Sequence, residues 1–273
     1  MTLLDKDLIA QPQLWSLVLM PGDERLDVAL IPPVADEEMI WRTFAFDSAT
    51  PDRRKALEDV IYENPLLLCD FKRVYCIADC GSFMALPAEL DGDAVLEMGR
   101  SVLGPECESS HLLTEGCGAE NAIMTQWIDE DTYAFLCRTF FNIRFYGRMG
   151  RLVEYLMSLP AHEAGAASAY ALLRGKELTV VIVNGGKLLC ANYFRCRGGY
   201  DAAYYILSAL QTLGLDLAST RICAGGDGFA ALAEELGRFA PHVSRLEPPA
   251  LPYRTGRTTL DAPFDLLIFK PCE

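Results

Sequence analysis

Histidine is nearly absent from this 273-residue chain, with only His111, His162 and His242. That scarcity leaves no base to pair with a cysteine nucleophile and few nitrogens for a metal. The ten cysteines form no Cys-x-x-Cys pair, so no zinc rule is met and no metal is expected. Several, such as Cys69 and Cys190, sit inside apolar runs and read as small buried hydrophobes. No Gly-x-x-x-x-Gly-Lys-Ser/Thr loop and no Gly-x-Ser-x-Gly elbow occurs. Apolar runs such as Leu178–Asn184 and Ala202–Leu210 are far too short to span a bilayer. The start, Met-Thr-Leu-Leu-Asp-Lys-Asp, lacks a basic region before an apolar stretch. A cytoplasmic protein with reduced thiols is the expectation.

Positive charge is also short. The formal net charge is −14, so bulk electrostatics repel nucleic acid and anionic membranes, and neither is expected as a partner. The imbalance is confined to residues 1–162, which hold 13 Lys+Arg and 27 Asp+Glu, against 11 and 11 in residues 163–273. What is plentiful is apolar: hydrophobic residues make up 51%, enough for a sizeable core.

The periodicity gives an element order. Gln13–Met20, Leu26–Ile31 and Met39–Phe46 read as strands, the first two joined by the turn Pro21-Gly22-Asp23-Glu24. Thr50 then caps a helix opening on Pro51, with Ala56, Leu57, Val60 and Ile61 as its apolar stripe. Lys72–Ala78 is the next strand. After residue 166 the order recurs. Ala167–Leu173, Leu178–Val183 and Leu188–Phe194 are strands, Asp201–Leu213 a helix, Arg221–Ala224 a strand and Phe229–Phe239 a helix. Helices are also predicted from Asp131 or Thr132 to Phe140 and over Arg148–Leu156, and a last strand over Phe264–Phe269. A repeated βββαβ(α) order predicts two look-alike lobes, residues 1–160 and 161–273, meeting near 158–166 and facing each other across a cleft.

This order resembles the actin, hexokinase and Hsp70 superfamily, whose fold is ribonuclease H-like. More narrowly, the chain resembles a family of uncharacterised bacterial proteins with an actin-like fold, akin to relatives of pilus-assembly ATPases. The similar stretches are Leu57–Pro87 and Tyr170–Gly226, including Leu188–Tyr193 and Gly199-Tyr200-Asp201-Ala202-Ala203-Tyr204-Tyr205, with the closing Cys272-Glu273. The resemblance implies an α/β protein and, in nucleotide-binding members, an Asp-x-Gly turn between the first two strands of each lobe. Here those turns are Met20-Pro21-Gly22-Asp23-Glu24-Arg25 and Leu173-Arg174-Gly175-Lys176-Glu177, and neither matches. Pro21 has no N–H to offer a phosphate, and Asp23-Glu24 would repel one. The adenosine-side pattern, an apolar strand ending in Gly-Gly, is met by Ile222-Cys223-Ala224-Gly225-Gly226. Gly225 and Gly226 are therefore candidate remnants of a nucleotide site, or simply a tight turn. Ile77-Ala78-Asp79-Cys80-Gly81-Ser82 carries Asp-x-Gly too, but after the helix, and reads as a turn.

One segment runs against the acidic grain. Arg138, Arg144, Arg148 and Arg151 stand in a window with no acid between Asp131 and Glu154, interleaved with Phe140, Phe141, Phe145 and Tyr146. They are candidate partner-binding residues, or they pair with the chain's own carboxylates. The expected function is a non-enzymatic actin-like scaffold or binding protein with an unknown protein partner and no cofactor. The alternative is an ATPase or phosphotransferase of the superfamily.

Overall fold

A computed structural model describes residues 4–78, 80–90, 92–159, 167–254 and 262–269. The first part runs β1 (Ser16–Pro21), β2 (Arg25–Ile31), β3 (Ile40–Ala45), α1 (Arg53–Glu63), β4 (Arg73–Ala78), β5 (Phe83–Pro87), α2 (Gly92–Leu103), β6 (Ser110–Gly116), β7 (Ala122–Asp129), α3 (Glu130–Thr139), β8 (Ile143–Gly147) and α4 (Arg148–Met157). The second runs β9 (Ser168–Arg174), β10 (Glu177–Asn184), β11 (Lys187–Arg195), α5 (Gly199–Thr212), β12 (Arg221–Gly225), α6 (Phe229–Leu236), β13 (Val243–Arg245) and α7 (Phe264–Ile268).

Two five-stranded sheets share one plan. Their orders are β3-β2-β1-β4-β8 and β11-β10-β9-β12-β13. In each, three strands pair antiparallel and the remaining two join in parallel. A sheet with parallel strands is covered on both faces, so its strands are apolar throughout. Along β1, Leu17 and Leu19 pack with Leu57 and Ile61 of α1 and Phe135 of α3. Val18 and Met20, pointing the other way, meet Leu266 and Leu267 of α7. Along β9, Ala169, Ala171 and Leu173 pack under α5 and α6, while Tyr170 and Leu172 meet Leu152, Val153 and Leu156 of α4. Thus α7, from the end of the chain, covers the first sheet, and α4, from its first part, covers the second.

The strands expected around Leu17, Val28, Val181 and Leu189 are present. Two local expectations are corrected. Asp52, not Thr50, caps α1, its side chain accepting from the Lys55 N–H. Phe264–Ile268 is a helix, not a strand. A short apolar run fits either, and here the helix turns Asp265 inward to meet Arg148. The stretch expected to join two lobes, residues 158–166, lies from residue 160 on outside the described residues. Cys69, Cys76, Cys107, Cys117, Cys137, Cys190, Cys196 and Cys223 are free thiols.

An antiparallel sheet, β5-β7-β6, is inserted between β4 and α3 and is tied to both neighbours. The Asn121 amide makes on Leu188 of β11 the two bonds that a neighbouring strand would make, 3.0 Å each. At the end of β6, Glu115 accepts the Gly147 N–H at 2.7 Å and lies 3.5 Å from Arg151. Burial holds the Glu115 carboxyl above its usual range of 4.5, against the lowering pull of Gly147 and Arg151. The folded chain therefore holds this proton more tightly than the unfolded one. Stability is lost as pH rises from about 4.5 through the raised value. Glu115→Gln keeps an acceptor for Gly147 and abolishes the titration. Measured by denaturant unfolding, the variant is expected to gain on the native chain between about pH 4 and pH 7. A difference that stays flat or runs the other way refutes the reading.

Candidate functional site

The β1–β2 and β9–β10 turns border a cleft of about 520 Å³. Its walls carry Asp23, Glu24, Arg25 and Asp27 from the first hairpin and Arg174, Lys176 and Glu177 from the second, with Arg148, Arg195 and Arg197. At the centre is Asp27 of β2, 2% exposed. Arg174 donates to both its carboxylate oxygens, at 2.9 and 3.0 Å, in the forked geometry that arginine favours. The Thr43 hydroxyl donates to the same carboxylate at 2.5 Å, and Arg25 at 3.4 Å. Further pairs cross the cleft. Arg195 of β11 reaches Asp23, and Arg25 lies 3.8 Å from Glu177. Arg148, at the start of α4, lies 3.7 Å from Glu177 and 2.9 Å from Asp265 of α7. One carboxylate or guanidinium after another thus joins the two hairpins and the two helices that cover the sheets.

The glycine N–H groups of the two turns are engaged as well. Gly22 donates to the Arg25 carbonyl at 2.8 Å, closing its own turn. Gly175 donates to the Asp227 carboxylate at 2.9 Å. An N–H aimed at a phosphate must be uncommitted in the unliganded protein, or must exchange one anionic partner for another.

The structure scatters the residues singled out from the sequence. Gly225 and Gly226 are not among the residues lining the cleft. Gly226 has φ +92°, and a Cβ there would stand 2.1 Å from the Leu173 carbonyl oxygen. Its lack of a side chain lets the turn after β12 lie directly on β9. Arg138 and Arg144 are exposed, and so is Phe141 between them in sequence, at 90%. Arg148, by contrast, is buried, drawn inward by Asp265 and Glu177. Arg151 is half-buried, paired with Glu154 at 2.6 Å and lying 4.8 Å over the Tyr146 ring. The four arginines therefore do not form one exposed strip, because carboxylates from β6, β10 and α7 turn two of them inward. Sequence reasoning missed Asp27 and Arg174. The available signal was an aspartate in the middle of the apolar strand Arg25–Ile31, where a charge needs a partner.

The sequence profile of a family described as proteins of unknown function, DUF3822, matches residues 8–243. The chain belongs to that family. No curated protein matches this DUF3822 chain. Among solved structures, it is similar to a protein from Bacteroides thetaiotaomicron of actin-like ATPase fold and unknown function, with 19% identity and a TM-score of 0.78, over 98% of this chain and 100% of the other. It is also similar to a chain of the PilM-PilN type IV pilus biogenesis complex, with 11% identity and a TM-score of 0.55, over 85% and 88%. The DUF3822 protein therefore has an actin-like α/β fold. Among its described residues no helix is long and apolar enough to cross a membrane.

Proposed function

We propose that this protein is a non-enzymatic actin-like scaffold or binding protein whose two lobes, residues 1–160 and 161–273, are held together by its own side chains across a degenerate nucleotide cleft. The observation that carries the reading is the forked Arg174–Asp27 pair, buried between the two hairpin turns where superfamily members hold phosphates. An added triphosphate would have to break that pair and displace the Asp227 carboxylate from Gly175. Gly225-Gly226 is then a remnant of the adenosine side, kept for packing. One feature favours the alternative, an ATPase or phosphotransferase: six cationic side chains line the cleft against four carboxylates. Calorimetry with ATP and magnesium separates the two. No heat of binding is expected at micromolar ATP, and no hydrolysis. Micromolar affinity would establish the alternative.

A scaffold needs a partner, and a resemblance to one member of a pilus biogenesis complex supports a protein partner. Its contact surface is placed at Arg138 and Arg144, with Phe141 between them. Arginine beside an exposed aromatic suits an interface centre. The double variant Arg138→Glu/Arg144→Glu is expected to lose co-purifying protein at an unchanged melting temperature. Retained partners would remove this segment from the interface.

A further inference from the structure

A groove of about 570 Å³ runs between the inserted sheet and the second five-stranded sheet. Residues 83–86 of β5 form one wall and residues 189–193 of β11 the other, with Met98 of α2 alongside. Each strand contributes consecutive residues, whereas a sheet face would contribute every second one, so the groove follows the two strand edges. Among the described residues both strands are the last in their sheets. In an antiparallel pair, alternate residues turn their backbone groups to the partner and away from it. On β11, Cys196 donates to the Lys176 carbonyl at 2.7 Å, next to the pair Arg195–Glu177. Phe194, Asn192 and Cys190 therefore bond β10, and the N–H and C=O of Ala191 point away from it. On β5, Ala88 donates to the Asn121 carbonyl at 3.2 Å, next to the pair Pro87–Ala122. Leu86 and Met84 therefore bond β7, and the backbone of Ala85 faces the open side. Pro87 shares that outward phase, where its missing N–H takes no bond from the sheet.

We propose that this groove takes an extended, uncharged segment of a partner polypeptide, which pairs as an added strand with the free edge of β11. The pairing continues a contact the chain already makes. The Asn121 amide gives Leu188, on the same edge, the two bonds of a neighbouring strand, and the segment carries on from Ala191. Sheet edges are usually guarded by shortness, proline or charge. β5 has the first two, being five residues long and ending on Pro87. β11 is nine residues long and carries charge only at its ends, Lys187 and Arg195. It is therefore the edge left open to a strand, and β5 is the opposite wall. The segment is uncharged because no charged side chain lines the groove, whose walls include Phe83, Leu86, Met98 and Leu189. A charge placed there would lose water and find no counter-ion. This surface is separate from the contact placed at Arg138 and Arg144, so either can fail without the other.

The probe is an end-capped heptapeptide alternating valine and threonine, added to the full-length protein. In the free protein the Ala191 amide hydrogen is expected to exchange faster than that of Asn192, which β10 holds. With the peptide, exchange at Ala191 is expected to slow by about tenfold or more, and its resonance to move saturably. The same peptide N-methylated throughout keeps its side chains but has no N–H to give. It is expected to bind at least about tenfold more weakly. Ala191→Pro removes the outward donor and leaves the bonds to β10 in place, and a similar weakening is expected. Should that variant fail to fold, the N-methylated peptide decides. An Ala191 amide that is already slow in the free protein, or that the peptide does not slow, overturns the proposal. Equal binding of the two peptides overturns strand pairing. Slowing that grows with protein concentration alone would put a second copy in the groove and overturn the partner segment.

Discussion

Asp27→Ala is expected to lower the unfolding free energy by about 3–5 kcal/mol, because removing one member of a buried ion pair strands the other. In a chain of this size the melting temperature should fall by roughly 10 °C. Asp27 is 2% exposed, and the side chain of Arg174 only 19%, so neither can turn to bulk water without moving the hairpins. The loss reaches past the pair, since the Thr43 hydroxyl and the Arg25 guanidinium also lose their acceptor. Arg174→Ala is expected to cost a similar amount, now leaving a buried carboxylate. The double variant Asp27→Leu/Arg174→Met should recover most of either loss, because apolar side chains of similar volume carry no desolvation penalty. The cycle of single and double variants then gives a coupling above about 2 kcal/mol. Exposed pairs seldom exceed about 1 kcal/mol. A single-variant cost in that lower range would show that the hairpins are not clasped by this pair.

The regular part of the fold was legible because its strands are long and apolar and its helices are punctuated. β1, β2, β9 and β10 are continuous apolar runs bounded by turn residues, and Gly214, with φ +67°, stops the chain beyond α5. The inserted sheet was not legible. β6 is half-exposed along most of its length and shows no alternation. β7 is buried on both faces yet carries Thr125 and Gln126, whose hydrogen bonds to Met84 and Ser82 are made only once β5 lies alongside. α2 was obscured by Asp91-Gly92-Asp93, which reads as a turn, although the helix opens within it. The cleft was legible only by default. The sequence shows that the two turns lack Asp-x-Gly. What fills their place depends on Arg174 meeting Asp27 across 147 residues, which no local pattern encodes. The arginine segment failed as a strip for the same reason: Asp265 lies 117 residues from Arg148.

The cost of Gly226→Ala bears on the same hairpin from behind. An ideal Cβ at Gly226 would lie 2.1 Å from the Leu173 carbonyl oxygen and 2.8 Å from its carbon. These are backbone atoms of β9, so no side-chain rotation relieves the overlap. That carbonyl also accepts the Gly228 N–H at 3.1 Å, so moving it breaks the turn's own bond. With φ at +92°, an alanine adds backbone strain of about 1–3 kcal/mol before any overlap is counted. A total loss of about 3 kcal/mol or more is expected, or failure to fold. Gly185→Ala is the control. Its φ is +55° and nothing lies within 4 Å of its Cβ, so its cost should stay near 1 kcal/mol. Leu173 directly precedes Arg174, so displacing its carbonyl should also misdirect the guanidinium. The Asp27–Arg174 coupling is therefore expected to shrink in a Gly226→Ala background and to persist in Gly185→Ala. Equal costs for the two glycines would mean that Gly226 is not held against β9. An unchanged coupling would mean that the turn and the clasp are mechanically separate.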